Sequence, residues 1–312
     1  MGIKGIEIRL GKLNLKTPVI IASGIFSYGE VKLNYLDYEK IGAIVTKTIT
    51  LNPRKGNPQP RIWETSSGMI NCIGLQNPGI KEFLEKGLYK IDGVKTIVSI
   101  SGESPEEIKR MLELLVKKGV ETIELNLSCP NVNRNNRMVA QSPEDTYNFI
   151  RNAKEIFKRE TVIAKLSPNI TDITEIALSA EEAGADAISL INTLKAVAVD
   201  IENMRIIEGG LSGSCVKPVG LKAVYDVYKK VKIPVIGMGG ITTGKDALEY
   251  ILAGASAVGI GSGLFSNPYI VDQIYETFTE FLKTHRLKNI SEATGLLNEK
   301  KKSGERTKGE KG

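Results

Sequence analysis

Residues 234–263 read PVIGMGGITTGKDALEYILAGASAVGIGSG. Pro234–Gly237 and Ala257–Gly261 are short apolar runs, and Gly244–Ala253 between them has the pattern of a helix. Short, continuously apolar runs are the mark of strands covered on both faces, and alternation with helices makes such a sheet parallel. Each run leads into a glycine-rich turn, Gly237-Met238-Gly239-Gly240 and Gly261-Ser262-Gly263.

The same unit recurs upstream. Further apolar runs stand at Pro18–Ala22, Ala43–Lys47, Thr96–Ile100, Thr122–Asn126, Val162–Lys165 and Ala187–Ile191, which makes eight in all. Pro105–Lys118 reads as a helix behind Ser104 as N-cap, with acids in its first turn and lysines in its last. Pro143–Lys158 repeats that design behind Ser142, and Asp172–Ala183, Leu221–Val231 and Pro268–Leu287 follow. Eight strand–helix repeats predict an α/β fold, a (β/α)8 TIM barrel. A doubly wound sheet is the competitor, but no GxGxxG follows the first run. Two segments fall outside the repeat. Ile6–Leu15 alternates around Gly11 and predicts a small N-terminal β-hairpin. Thr48–Gly79 carries four prolines and predicts a long loop after strand two, of the kind that serves function. The expected domain is 1–288, with 289–312 a basic, flexible tail.

The 312 residues carry a formal charge of +6, but residues 299–312 alone hold six Lys/Arg against three Asp/Glu. With half of the excess in a polar tail and no basic stripe elsewhere, nucleic-acid binding is not expected. Three cysteines, Cys72, Cys129 and Cys215, show no CxxC spacing. A disulfide framework, a zinc site and a cluster held by this chain are therefore not expected, and a reducing cytoplasm is. No targeting segment or membrane-length apolar run is read. The single histidine, His285, lies in a Lys-Thr-His-Arg stretch far from any strand end, so proton transfer must use another group.

In such a barrel the chemistry sits at the C-terminal strand ends. Those ends offer Ser23 and Gly24, Lys47 and Thr48, Ser99, Asn126 with Ser128 and Cys129, Lys165, and Asn192 with Thr193, besides the two glycine turns. Glycine turns after strands seven and eight predict a phosphate site, where backbone N–H groups and a helix dipole favour an anion. Lys47 and Lys165 leave three readings open: snorkelling surface lysines, cations facing the negative charge of a reduced flavin, or a Schiff-base aldolase. Cys129 leaves two: a small buried hydrophobe, or a thiol made basic by its loop. Asn71, Asn126, Asn131 and Asn192 either cap turns or bind a planar ligand through both amide functions.

At these residues the sequence resembles the class 1 dihydroorotate dehydrogenases, and within them class 1B, from about residue 3 to 287. The motifs are Thr46-Lys47-Thr48, Asn71–Gly79, Asn126–Asn131, Ile191-Asn192-Thr193, Gly210–Gly213, Gly237–Gly240 and Gly261-Ser262, with Gln76-Asn77-Pro78-Gly79 pointing to 1B. The resemblance implies oxidation of dihydroorotate to orotate in pyrimidine biosynthesis, with FMN bound. It places Ser23, Lys47, Thr48, Ser99, Asn126, Lys165, Ile191, Gly213, Gly239, Gly240, Gly261 and Ser262 at the flavin. It places Lys47, Asn71, Cys72, Ile73, Gly74, Leu75, Asn126, Asn131, Asn192 and Thr193 at the substrate, and Cys129 as the base that takes the C5 proton. It also implies a homodimer, joined in a heterotetramer by a subunit that carries FAD and a [2Fe–2S] cluster and passes electrons to NAD. Three stretches depart from the pattern: Ser99 replaces asparagine, Asn133–Asn136 replaces a glycine-rich stretch, and Asp200–Gly209 is short. The competing readings are a dihydrouracil dehydrogenase, which the family resembles around the cysteine loop, and a non-redox lysine aldolase or phosphosugar barrel.

Overall fold

A computed structural model describes residues 5–29, 33–87, 93–128 and 138–298. In chain order its strands and helices are β1 (Ile8–Leu10), β2 (Leu13–Leu15), β3 (Val19–Ile21), β4 (Ala43–Val45), β5 (Ile62–Thr65), β6 (Gly68–Asn71), α1 (Gly79–Glu85), β7 (Lys95–Ile100), α2 (Pro105–Lys117), β8 (Thr122–Asn126) and α3 (Pro143–Ile156). Then follow β9 (Thr161–Lys165), α4 (Ile173–Glu182), β10 (Ala187–Leu190), β11 (Leu194–Asp200), β12 (Arg205–Ser212), α5 (Lys217–Tyr228), β13 (Val235–Met238), α6 (Gly244–Ala253), β14 (Ala257–Ile260), α7 (Gly263–Ser266) and α8 (Ile270–His285). Strands β3, β4, β7, β8, β9, β10, β13 and β14 pair in parallel and close into a barrel. These are the eight apolar runs of the sequence. Among the described residues, the first repeat has only a 3₁₀ turn (Tyr38–Lys40) in place of its helix.

The helices are fixed locally and then held by packing. Ser104 Oγ accepts from Glu107 N at 3.2 Å to cap α2, and Pro105 fills the first turn, where no donor is needed. Ile108, Met111, Leu112 and Leu115 then form one buried face. Burial of each such side chain contributes about 1.5–3 kcal/mol. The α3 helix repeats the pattern, with Ser142 Oγ accepting from Asp145 N at 3.1 Å. The β1–β2 hairpin buries Ile8, Leu10, Leu13 and Leu15 at the N-terminal end of the barrel, where Lys12 N donates to Thr161 Oγ1 at 3.2 Å.

Two features differ from the sequence reading. The Thr48–Gly79 excursion is not loop throughout: β5 and β6 form a hairpin in it, with Thr65 opposite Gly68. Its prolines are confined to residues outside the two strands, so ladder pairing is not interrupted. A second hairpin, β11–β12, pairs through β6 to give a four-stranded antiparallel sheet in the order β11-β12-β6-β5. Composition places residues 289–298 in the tail, yet Ile290, Ala293 and Asn298 are buried. Gly295 N donates to Ile251 O at 2.9 Å and Asn298 Nδ2 to Ala253 O at 2.8 Å, which lays this segment on the end of α6.

Candidate active site

The C-terminal strand ends converge on a hydrogen-bonded network. Ser23 Oγ, just beyond β3, donates to Thr46 O at 2.8 Å and lies 3.4 Å from Thr48 Oγ1. Thr48 Oγ1 is 2.9 Å from Ser99 Oγ, and it accepts from Asn126 Nδ2 at 3.2 Å. Asn126 Oδ1 then accepts from Ser128 Oγ at 2.8 Å and from Asn192 Nδ2 at 3.5 Å, while Asn192 Nδ2 also donates to Ser128 Oγ. Asn192 Oδ1 accepts from Thr193 N at 2.8 Å. Five strand ends, those of β3, β4, β7, β8 and β10, are thus tied into one rim. Asn71 joins it through the four-stranded sheet: its Nδ2 donates to Gly210 O at 3.2 Å, and a Cβ on Gly210 would lie 2.1 Å from Thr193 Oγ1. Asn169 supports this corner, donating to Thr193 O at 3.0 Å and accepting from Lys195 N at 2.8 Å.

Lys165 is not a snorkelling lysine. It is buried, and its Nζ lies 3.9 Å from Glu124 Oε1 inside the barrel. Lys47 is half-buried beyond β4, its N–H donating to Ser27 O at 2.6 Å. Cys72 and Ile73 bond to Arg61 and Asn57 of their own excursion, and Gly74 and Leu75 take positive φ values of 72° and 51° beside them. Cys129 and Asn131 lie outside the described residues. His285 is exposed on α8, stacked on Phe281.

Beyond β13 and β14 the glycine turns form a cradle. Among the described residues, the N–H groups of Gly240 and Ser262 have no hydrogen-bond acceptor. A Cβ on Gly261 would meet nothing nearer than Ala22 Cβ at 4.0 Å, so the turn is open above it. Gly239 and Gly240 hold φ values of 118° and 69°, and Ile191 packs beside Gly239. Free N–H groups around open space are what a phosphate requires. Gly213, at φ 109°, brings its carbonyl to the same place.

Residues that sequence reasoning missed hold this cradle. Tyr250 is fully buried and its hydroxyl donates to Gly239 O at 2.7 Å; burial pushes the phenol up, with Asp246 and Glu249 adding to it. Asp246 accepts from Lys217 Nζ at 2.6 Å, Thr242 N at 3.0 Å and Thr243 N at 2.8 Å. Burial opposes ionisation of Asp246, but these donors outweigh it and lower the carboxyl from 3.8 to about 2. Because the native value is depressed, the stabilisation is complete above about pH 4 and is lost as pH falls towards about 2. With partial solvent screening it amounts to about 1–2 kcal/mol. Asp246→Asn is therefore expected to lower the urea midpoint at pH 7. The gap from the parent should narrow as the pH falls from 4 towards 2, and a gap constant with pH would show that the charge is not what matters. Glu124 was legible in principle, since it stands two residues before Asn126 and strand alternation puts both on one face.

A closed barrel whose mouth joins a glycine-lined anion cradle to a rim of amides is a (β/α)8 enzyme for a phosphate-bearing ligand. The family model for dihydroorotate dehydrogenase matches residues 6–282. The chain is 44% identical over 298 residues to a protein of Thermoanaerobacter pseudethanolicus named dihydroorotate dehydrogenase B (NAD(+)), catalytic subunit, covering 94% of this chain and 98% of that one. A Bacteroides thetaiotaomicron protein of the same name is 42% identical over 299 residues, with 94% and 98% covered. The crystal structure of DHODH from Eimeria tenella in complex with ferulenol superposes with a TM-score of 0.77 at 24% identity, covering 94% and 88% of the two chains, which shows the shared fold. This chain belongs to the dihydroorotate dehydrogenase family.

Proposed function

We propose that this chain is the FMN-binding catalytic subunit of a class 1B, NAD-linked dihydroorotate dehydrogenase. The observation that carries the reading is the union of the phosphate cradle at Gly239, Gly240, Gly261 and Ser262 with the amide rim of Asn126, Asn192 and Asn71. The residues fit a flavin mononucleotide. The cradle would hold its phosphate, and Ser23, Lys47, Thr48, Ser99, Lys165, Ile191 and Gly213 would surround the rest. When bound, FMN supplies the acceptor for hydride from C6 of dihydroorotate.

The chain's residues supply everything else. Cys129, next to Ser128 in sequence, takes the proton from C5, so that loss of hydride and proton leaves the C5=C6 double bond of orotate. Asn71, Asn126, Asn131, Asn192 and Thr193 hold the substrate ring by its alternating C=O and N–H groups, with Lys47 and residues 72–75 closing the site. Lys165 contributes a fixed positive charge at the flavin. A Schiff-base aldolase is disfavoured by the family membership and by the burial of Lys165 against a carboxylate.

The test is anaerobic mixing with dihydroorotate and, separately, with dihydrouracil while the flavin absorbance is followed. Rapid bleaching by dihydroorotate alone is expected. Retained yellow colour would sink the assignment, and faster bleaching by dihydrouracil would transfer it to the neighbouring family.

The relatives' names specify a catalytic subunit, so a partner subunit belongs to this reading. That partner would carry FAD and a [2Fe–2S] cluster, in a heterotetramer built on a homodimer of this chain. The β11–β12 hairpin favours the dimer: Val197, Val199, Ile201, Met204 and Ile206 are all exposed on it, and β11 is a sheet edge. Val199→Asp is expected to yield monomers in sedimentation; an unchanged dimer would place the interface elsewhere. No helix among the described residues is long and apolar enough to cross a membrane, and a cytoplasmic enzyme fits this reading.

A further inference from the structure

Glu124 is 2% exposed, in the middle of β8. On that strand Glu124 and Asn126 share a face, so the carboxylate points into the barrel one layer beneath the amide rim. Around it stand Ser99 and Ser189, both fully buried, and Lys165. A carboxylate so buried must be paired or protonated. Lys165 Nζ lies 3.9 Å from Oε1, Ser99 Oγ donates to Oε1 at 3.3 Å, and Ser189 Oγ donates to Oε2 at 3.2 Å. Two hydroxyl donors and one ammonium answer the two oxygens of an ionised group.

An ionised carboxylate only accepts, and this fixes the direction of every bond above it. Ser99 gives its proton to Glu124, so its oxygen accepts from Thr48 Oγ1 at 2.9 Å. Thr48 Oγ1 in turn accepts from Asn126 Nδ2 at 3.2 Å. The Asn126 amide is thereby held with its NH₂ towards Thr48 and its oxygen towards Ser128 and Asn192.

We propose that Glu124 is a positioning residue: from inside the barrel its carboxylate holds the Lys165 ammonium at the flavin site and sets the sense of the Ser99–Thr48–Asn126 hydrogen bonds. The pairing is a property of the polypeptide. Its consequence for FMN rests on the function proposed above.

Two measurements on the full chain test it. In urea unfolding of the apoprotein, Glu124→Gln and Lys165→Met should each lower the midpoint. The double variant should lose less than the sum, because neither partner is left buried alone. Additive losses would overturn the pairing. In the holoprotein, the FMN midpoint potential is measured by titration with dithionite. Glu124→Gln leaves Lys165 unbalanced and should raise the potential by at least the equivalent of a tenfold change in the two-electron equilibrium, ~30 mV. Glu124→Asp should stay near the parent. In the Lys165→Met background no ammonium is left for Glu124 to hold, so Glu124→Gln should shift the potential much less than in the parent. An equal shift in both backgrounds, or none in either, would show that Glu124 does not act through Lys165. Since neither measurement uses dihydroorotate, failure of that substrate to bleach the flavin would reject the proposed reaction and leave this result standing.

Discussion

Cys129→Ala is expected to bind orotate normally and to reduce its flavin ~10²–10⁴-fold more slowly than the parent in anaerobic single turnover. The chain holds few groups able to take a proton near neutral pH. Its one histidine is exposed on α8, stacked on Phe281. The rim of Asn126, Ser128, Asn192 and Thr193 consists of amides and hydroxyls, which do not serve as bases. Lys165 is engaged with Glu124. A thiol has an ordinary pKa of ~8.5, so an appreciable thiolate fraction forms at mild pH, and loss of the sulfur removes that fraction without touching the amides proposed to bind the ring. The parent's reduction rate should therefore rise with pH through one ionisation, and the residual rate of the variant should be flat. Cys129→Ser should recover part of the rate only at higher pH, since a hydroxyl is far less acidic. Near-parental reduction by the alanine variant would assign the proton to another group.

The barrel was legible because its strands are short apolar runs with helices of strong local design between them. Each run lies where periodicity put it and Gly244–Ala253 matches to the residue, whereas the helix expected at Leu221–Val231 runs from Lys217 to Tyr228, its first turn opened by Pro218. What escaped was the sheet beside the mouth. Strands β5, β11 and β12 carry exposed charged residues, and the two local hairpins become one sheet only where β6 pairs with β12, segments more than a hundred residues apart, as with Asn71 opposite Gly210. Local patterning cannot supply a register set by such remote contacts. The 289–298 segment escaped for a related reason: two buried apolar residues, Ile290 and Ala293, outweigh its polar composition.

The site divides along the same line. Residues proposed to face the ligand stand at strand ends, so counting strands finds Ser23, Thr48, Asn126, Lys165 and Asn192. Residues that hold those in place come from anywhere. Tyr250 reaches Gly239 from the middle of α6, and Asp246 clamps the turn that precedes its own helix. Their side chains read as ordinary helix residues until the chain is folded.

Gly240→Ala is expected to weaken FMN binding by about a hundredfold, near 2.7 kcal/mol, and to lower the melting temperature as well. Gly240 has φ 69°, a conformation that costs an L-residue ~1 kcal/mol or more. The larger cost is steric. An added Cβ would lie 2.7 Å from Lys217 N and 2.8 Å from Gly213 O, both backbone atoms of neighbouring turns. Neither can step aside cheaply. Lys217 begins α5 and is tied to Asp246 at 2.6 Å, and a Cβ on Gly213 would itself lie 2.4 Å from Gly68 Cα, so that turn is packed tight against the start of β6. The methyl must displace the Gly239–Gly240 turn instead, and with it the free N–H of Gly240 that faces the cradle. A phosphate held by backbone donors tolerates little movement, because each N–H is fixed by the chain rather than by a rotatable side chain. Isothermal titration of apoprotein with FMN measures the loss directly. Riboflavin, which lacks the phosphate, should bind parent and variant about equally. If riboflavin loses as much affinity as FMN, Gly240 supports the barrel mouth generally and the phosphate is held elsewhere.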